Sequence, residues 1–525
     1  MVWFLPYGIV FSKVPNYFQQ DVGNYFILPP LLYAVTTFLM ELFSHCGKWR
    51  KLLSFLYAVL LFFLIASGFV YLYYFLHYGK ELDEYIVLCI LATTVSEMEN
   101  YITALFSIPV LLGLCTLLSL AFFLLFRLLV KGSETSSLTI VPRKKIGVIF
   151  LLVSYFFINY SLSVFPADRM LHLYRKDGPL RAFVELRNNL PKNKKKFRGT
   201  SIELPTSKVV PGSILLVIGE SANRDMMSAF APTAVDTTPW EKAMRRNQNF
   251  FFYPYAYANF PNTVMALTSA LSSANQYNGK PLRDAIDMLT VAKKAGYTTW
   301  WISTQEKSSV SDAGVTIIAE QADHTVWVDG YDEEVLQELA KIPAGENNFV
   351  VLHLMGSHFR YDHRVPDSFI QKQNWLPVDK GDKTQWYKRS LYYTDFVLSR
   401  IFQESQRLPL QAMVYFSDHG EDMKLTHTAS PFLYNMVRVP LWIYLSSAYQ
   451  QEYPLIIQQL RQHENVPFTN DLLFDTLSGI LHMPSNFYDK RYDLTSDAYN
   501  LTWDTGLTLH GKKKIAEDTE QVRSK

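Results

Sequence analysis

Val414-Tyr415-Phe416-Ser417-Asp418-His419-Gly420-Glu421 is the stretch on which the reading of this chain turns. An apolar run of strand type stops abruptly on an Asp-His pair and a glycine. In an open α/β sheet, chemistry gathers where strands end at their carboxyl edges. A carboxylate beside an imidazole offers oxygen and nitrogen ligands that suit zinc (Zn2+), with Mn2+ a poorer match. A solitary Asp-His-Gly can equally be a solvated turn, so its meaning depends on what else the chain supplies.

Two further strand-like runs stop in the same way. The run 214–218 ends in Gly219-Glu220-Ser221, and the run 349–354 leads into Gly356-Ser357-His358; His427 follows the opening stretch. Alone, Glu220 reads as a first-turn helix acid, and His358 and His427 read as surface or core histidines. Together they make a hydrolase-type metal constellation. All three cysteines, Cys46, Cys89 and Cys115, lie in the first third. Neither a disulfide framework nor a cysteine zinc site is therefore available beyond it.

A hydroxyl is also at hand. Asn259-Phe260-Pro261-Asn262 leads into Thr263, which opens the helical stretch 263–271. Asn262 or Thr263 would cap that helix. The same position puts a hydroxyl at a positive helix end, where phosphate binds well. A hydroxyl needs a base or a metal to become a nucleophile. A dication at Glu220, Asp418 and His419 would supply that activation. Thr268 is the fallback for Thr263.

Around these residues, apolar runs alternate with helical patterns, the signature of an α/β domain. The expected strands are 214–218, 250–255, 298–303, 325–328, 349–354, 413–416 and 439–444. The expected helices include 263–271, 282–294, 333–340, 386–406 and 471–481. The domain spans 207–510, after a polar, basic connector at 167–206. The charged tail 511–525 is expected to fray.

The first third has a different character. The chain has 525 residues and a formal charge of only +2, which gives no sign of nucleic-acid binding. Four segments, 25–44, 52–76, 102–126 and 146–165, reach the roughly 20 apolar residues that a bilayer requires. Lys48, Arg50 and Lys51, then Arg127, Lys131, Arg143, Lys144 and Lys145, mark two cytoplasmic loops. That parity makes 1–166 an α-helical transmembrane domain and puts everything after Phe165 on the outer side. The short apolar segment 1–11 is either interfacial or the remnant of a first helix. Segment 83–101 would lie on the outer membrane face, as a connector or as a gate near lipid headgroups. No cleavable signal peptide is evident.

Several of these segments resemble the motifs of phosphoethanolamine transferases, membrane-anchored members of the alkaline phosphatase/sulfatase superfamily. The segment from Val217 to Ser228 is similar to VxGESxxRDxxS, and Thr237-Thr238-Pro239 matches the element that follows it. His353-Leu354-Met355-Gly356-Ser357-His358 resembles HxxGSH, Ser417 to Glu421 resembles SDHGE, and Tyr393-Thr394-Asp395 a YTD element. Trp301-Ile302-Ser303-Thr304-Gln305 resembles WxSNQ with Thr304 in place of asparagine.

The resemblance implies an alkaline phosphatase/sulfatase-like α/β domain with a central mixed sheet flanked by helices, following the transmembrane domain. It implies zinc, one tight site with room for a second, held by Glu220, Thr263, Asp418 and His419, with Thr263 the nucleophile. His358 and His427 would bind phosphoryl oxygens or a second metal. Thr93, Thr94 and Glu97 resemble a TN-x-x-E donor-lipid element in which Thr94 replaces asparagine, and Lys307 is a further donor-site candidate. The implied reaction moves phosphoethanolamine from phosphatidylethanolamine to lipopolysaccharide core sugar, lipid A or periplasmic glucan. It would take place on the periplasmic side of a bacterial inner membrane. Glycerophosphate transfer and plain phosphodiesterase activity use the same core and remain alternatives. A C/S-x-P-x-R setting of the sulfatase type is absent around Thr263.

Overall fold

In the computed structural model, the residues described are 108–135, 201–204, 210–305, 307, 313–372, 382–427 and 431–520, with scattered positions between 51 and 99. The chain divides into two compact units, one formed mainly by the first 181 residues and one mainly by the remainder.

In the first unit, the helix Ile108–Thr135 covers most of the third expected span. It leaves Leu112, Leu117, Leu120, Phe123 and Leu128 exposed along its length. Among the described residues no helix is long and apolar enough to cross a membrane. The spans expected at 25–44 and 146–165 lie outside the described residues, as do Thr93, Thr94 and Glu97.

The second unit is built on a seven-stranded sheet. In chain order its strands are β1 (Ser213–Gly219), β2 (Phe250–Phe252), β4 (Thr298–Ser303), β5 (His324–Trp327), β6 (Asn348–His353), β7 (Leu410–Ser417) and β8 (Leu441–Leu445). The two-residue strand β3 (Ala256–Tyr257) pairs outside this sheet. The spatial order is β2-β8-β7-β1-β6-β4-β5. Strands β7, β1, β6, β4 and β5 run parallel, and β8 runs against them, so the sheet is mixed.

Side chains alternate across a strand, and here both faces are covered. Ile214, Leu216 and Ile218 of β1 enter one core with Val414 and Phe416, while Leu215 and Val217 enter the other with Met413 and Tyr415. Helices α1 (Thr263–Ala270) and α3 (Leu473–Ile480) pack on the first face; α2 (Lys383–Ser405) packs on the second. Burial on both faces is why β1 and β7 read as continuous apolar runs rather than alternating ones.

Some expected elements end differently. Strand 250–255 stops at Phe252, because Pro254 has no amide to donate to a ladder. The stretch 282–294 splits into a short turn at Leu282–Asp284 and a helix at Met288–Lys294. Asp287 caps the helix by accepting from the Thr290 amide at 2.8 Å. The tail expected to fray instead folds back over 507–520, forming the hairpin Leu507–Thr508 with Lys513–Lys514 and burying Ile515 and Asp518. Its charges hid one apolar anchor and one carboxylate with a partner.

Candidate metal centre

Register brings the key side chains together. Gly219 lies opposite Ser417 in the β1–β7 ladder, so the next residues, Glu220 and Asp418, emerge side by side at the carboxyl edge. On the other flank Ile218 lies opposite His353 of β6. The chain then turns sharply at Ser221, a non-glycine residue in the left-handed region (φ 56°). Its amide donates to Asp418 Oδ1 at 3.0 Å, and its hydroxyl donates to Glu220 Oε1 at 2.9 Å. Tyr387 of α2 secures this turn. Its hydroxyl donates to Ser221 O at 2.6 Å and accepts from the Asn223 amide at 2.8 Å.

The loop after β6 packs against the same turn. Gly356 has φ +50°, and a Cβ there would meet the Glu220 amide nitrogen at 2.8 Å. Asp332 holds this loop by accepting from the Met355 amide at 2.7 Å and the Gly356 amide at 2.9 Å. Thr304, which stands where the motif has asparagine, donates to Asp332 Oδ1 at 2.5 Å. The substitution thus serves the loop rather than the cluster.

The cluster itself is Glu220, Asp418, His419 and Thr263. His419 Nε2 lies 3.2 Å from Glu220 Oε1 and 3.3 Å from Asp418 Oδ2. Thr263 Oγ1 lies 3.3 Å from Glu220 Oε2 and 3.4 Å from His419 Nε2. Thr263 is the first residue of α1, whose N-cap Asn262 accepts from the Met265 amide. Thr268, the fallback, is turned into its own helix and donates to Val264 O at 2.6 Å.

The electrostatics of this cluster favour a cation. His419 Nδ1 bonds Gly420 O at 2.8 Å, and a carbonyl can only accept, so the proton sits on Nδ1. Nε2 is then the ring atom that faces the two carboxylates. Asp418 Oδ1 is served by two backbone amides, whereas Oδ2 is buried with no hydrogen-bond partner. Burial, and then the neighbouring Asp418 charge, push Glu220 well above the usual carboxylate range; His358 and His427 pull it the other way. Asp418 goes down: burial opposes this, but His419 and donated hydrogen bonds outweigh it. Buried lone pairs converging on one point need a proton or a cation between them. Glu220, Asp418 and His419 form a group whose ligand atoms lie within 4.8 Å of one another, and their oxygen and nitrogen donors suit zinc.

A second group, His419, Glu421 and His427, meets the same distance test. Its carboxylate is already engaged, however. Glu421 Oε1 accepts from the Tyr361 hydroxyl at 2.9 Å and Oε2 bonds His427 Nδ1 at 2.7 Å. This carboxylate orients His427, whose ring lies 4.3 Å from that of His419, tilted by 37°. Lys307 is exposed and pairs with Glu320 at 3.5 Å. Motif reading passed over Gln305, whose amide nitrogen lies 3.4 Å from Glu220 Oε2 and 3.0 Å from Leu354 O. It also passed over Asn470, which donates to Ser417 O at 3.1 Å and Asp418 O at 2.9 Å. Gln305 stood within a recognised motif; nothing in the sequence marked Asn470.

The mixed sheet with its polar cluster at the carboxyl edge is that of an alkaline phosphatase-like α/β domain. Residues 213–483 match the Sulfatase family, more than half of the chain, and the chain belongs to that family. It is similar to the phosphoethanolamine transferase EptC of Escherichia coli, 23% identical over 396 residues, covering 68% of this chain and 67% of the relative. It is also similar to the phosphoethanolamine transferase CptA of Salmonella typhimurium, 22% identical, covering 95% and 92%. The crystal structure of the periplasmic domain of E. coli EptC, in complex with zinc, superposes with a TM-score of 0.54 at 21% identity. That match covers 62% of this chain and 97% of that domain. The integral membrane protein EptA of Neisseria meningitidis superposes with a TM-score of 0.58 at 15% identity, covering 94% and 97%. The transferase resemblance read from the motifs agrees with the relatives' names.

Proposed function

We propose that this chain is a membrane-anchored phosphoethanolamine transferase of the bacterial inner membrane. Its catalytic domain faces the periplasm, its donor is phosphatidylethanolamine and its acceptor is a cell-envelope glycan, with lipopolysaccharide inner-core heptose first in line. One observation carries this reading: the Thr263 hydroxyl, at a helix N-terminus, lies within 3.4 Å of both Glu220 and His419. A hydroxyl among metal-type donors is the arrangement that an activated oxygen nucleophile requires.

Glu220, Thr263, Asp418 and His419 would hold one Zn2+, which would lower the pKa of a bound hydroxyl and neutralise charge on phosphoryl oxygens. Thr263 Oγ attacks phosphorus, the bond from phosphorus to the diacylglycerol oxygen breaks, and that oxygen takes up the proton Thr263 gives up. Diacylglycerol stays in the bilayer, and the threonine carries phosphoethanolamine. An acceptor hydroxyl then attacks the phospho-threonine, and its proton returns to Thr263 Oγ. His358 and His427 would face the phosphoryl oxygens, with Glu421 holding His427 at Nδ1. The amides at the start of α1 favour the same negative charge.

Leucines exposed along Ile108–Thr135 support a membrane setting for the first unit. Thr93, Thr94 and Glu97 would meet the donor headgroup at the membrane face; Lys307, already paired with Glu320, is the weaker candidate.

The test compares envelope glycans by mass spectrometry from cells carrying the wild-type protein or Thr263→Ala. Phosphoethanolamine on a core sugar, lost in the variant together with diacylglycerol release, is the expected result. Undiminished transfer by Thr263→Ala would overturn the nucleophile. Glycerophosphate on the glycan would overturn the donor, and modified lipid A or periplasmic glucan would reassign the acceptor.

A further inference from the structure

Three segments carry the cluster, and all three rest on consecutive carbonyls. The amide of Gly420, next to His419, donates to Met436 O at 2.8 Å. The amide of Ala258, at the entry to the Thr263 turn, donates to Val437 O at 2.7 Å. The amide of Arg224, just past Glu220, donates to Arg438 O at 3.3 Å. The fit is tight: a Cβ at Gly420 would meet Asn435 O at 2.3 Å and Arg438 O at 3.0 Å. Beyond the β1–β7 register, the placement of Thr263 against Glu220 and His419 is tied through the backbone of 436–438.

That backbone is held by the Arg438 side chain. The guanidinium is buried between carboxylates from distant parts of the chain. Nε donates to Asp518 Oδ2 at 2.8 Å, Nη2 donates to Asp518 Oδ1, and Nη1 donates to Asp225 Oδ2 at 2.7 Å. Asp518 also accepts from the Tyr257 hydroxyl at 2.9 Å, which ties it to the strand leading to Thr263. The same C-terminal segment touches that strand and turn at three more points. Thr508 donates to Ala258 O at 2.8 Å, the His510 amide donates to Asn259 O at 3.3 Å, and the His510 ring packs 5.3 Å from Phe260.

We propose that Arg438 and Asp518 are positioning residues for the transfer reaction, and that the C-terminal segment 507–518 is the brace that fixes the cluster's three segments. The inference rests on the reading of Thr263 and its neighbours as the transfer site. Bidentate Arg–carboxylate pairs fix direction as well as distance. Removing one partner of such a buried pair leaves an uncompensated charge. The guanidinium would then follow Asp225, which is more exposed than Asp518, and draw the 436–438 backbone with it.

The test uses the full chain in detergent micelles, with fluorescent phosphatidylethanolamine as donor and zinc affinity measured by chelator competition. Asp518→Asn is expected to lower kcat about tenfold, leave the donor KM within about twofold, and weaken zinc retention about tenfold. Asp489→Asn, which removes an exposed pair with Arg491, is expected to change none of these. If Asp518→Asn fails to fold, the double variant Arg438→Met/Asp518→Leu takes its place, since apolar residues often replace a buried ion pair without loss of stability. A fall in kcat at unchanged KM, or in zinc affinity, in either folded variant supports the brace. Wild-type kcat and zinc affinity in the folded variant overturn it. Activity surviving in Thr263→Ala would overturn the underlying reading instead, and the zinc measurement would still decide the role of the pair.

Discussion

Glu220 and Asp418 at the carboxyl edge of the sheet, and Asp475 and Asp493 around α3, are both pairs of buried carboxylates, and they are finished in opposite ways. Asp493 Oδ1 accepts from the Thr495 amide at 2.7 Å and Oδ2 accepts from the Tyr488 hydroxyl at 2.8 Å. Asp475 Oδ1 accepts from the Asp489 amide at 2.8 Å. Burial pushes Asp493 up to about 7 and Asp475 up to about 8 against the pull of these local donors. At the sheet edge Asp418 is held down, its Oδ2 has no hydrogen-bond partner, and His419 Nε2 faces it at 3.3 Å. Burial alone does not mark a site. An oxygen left open, aimed at other lone pairs, does.

The contrast predicts separable losses. Asp418→Asn should lower transfer on the order of a thousandfold or more, while the thermal midpoint holds or rises, because Oδ2 gives up no hydrogen bond. A melt that collapses along with activity would erase the distinction between the two pairs. Asp493→Ala should do the reverse. It strands the donors on Thr495 and Tyr488 and costs about 1–3 kcal/mol, seen in chemical denaturation, with kcat nearly unchanged.

The closed pair should also shape the pH profile. The folded chain holds protons on Asp475 and Asp493 that the unfolded chain releases near pH 4. Their contribution is therefore fully present below about pH 4 and is lost as pH rises toward about 7 to 8, by up to about 1.4 kcal/mol per pH unit for each proton. Asp475→Asn should flatten that slope in urea titrations, and an unchanged slope would mean that Asp475 is ionised when folded. The smallest effect is expected from Tyr387→Phe, which removes the hydroxyl between Ser221 O and the Asn223 amide. It should cost about 1 kcal/mol and lower kcat less than Asp418→Asn does; a larger loss of kcat would place Tyr387 nearer the chemistry than the Ser221 turn suggests.

The sheet strands were legible because both faces are buried, which makes Ser213–Gly219 and Leu410–Ser417 long apolar runs with abrupt polar ends. Glu220 and Asp418 followed from those ends. What brings them together, the pairing of Gly219 with Ser417, is long-range and leaves no local trace. Asn470 and Tyr387 reach the site from helical segments whose own periodicity reports only packing. Two-residue strands such as Ala256–Tyr257 are too short for any period to show. The end of the chain misled for a different reason. Its lysines and acids outnumber its anchors, yet Ile515 is in the core and Asp518 meets Arg438.

The parallel pairing of β1 with β7 also fixes what a change elsewhere at this edge leaves untouched. Glu220 and Asp418 hang from adjacent strands, so their separation is set by the roughly 4.8 Å spacing of hydrogen-bonded strands rather than by any loop. The loop at Asp422–Thr426, closed by its own pair of backbone hydrogen bonds, can be rebuilt or lengthened without changing that spacing. The spacing of the two carboxylates and the shape of that loop are thus held by separate sets of backbone hydrogen bonds.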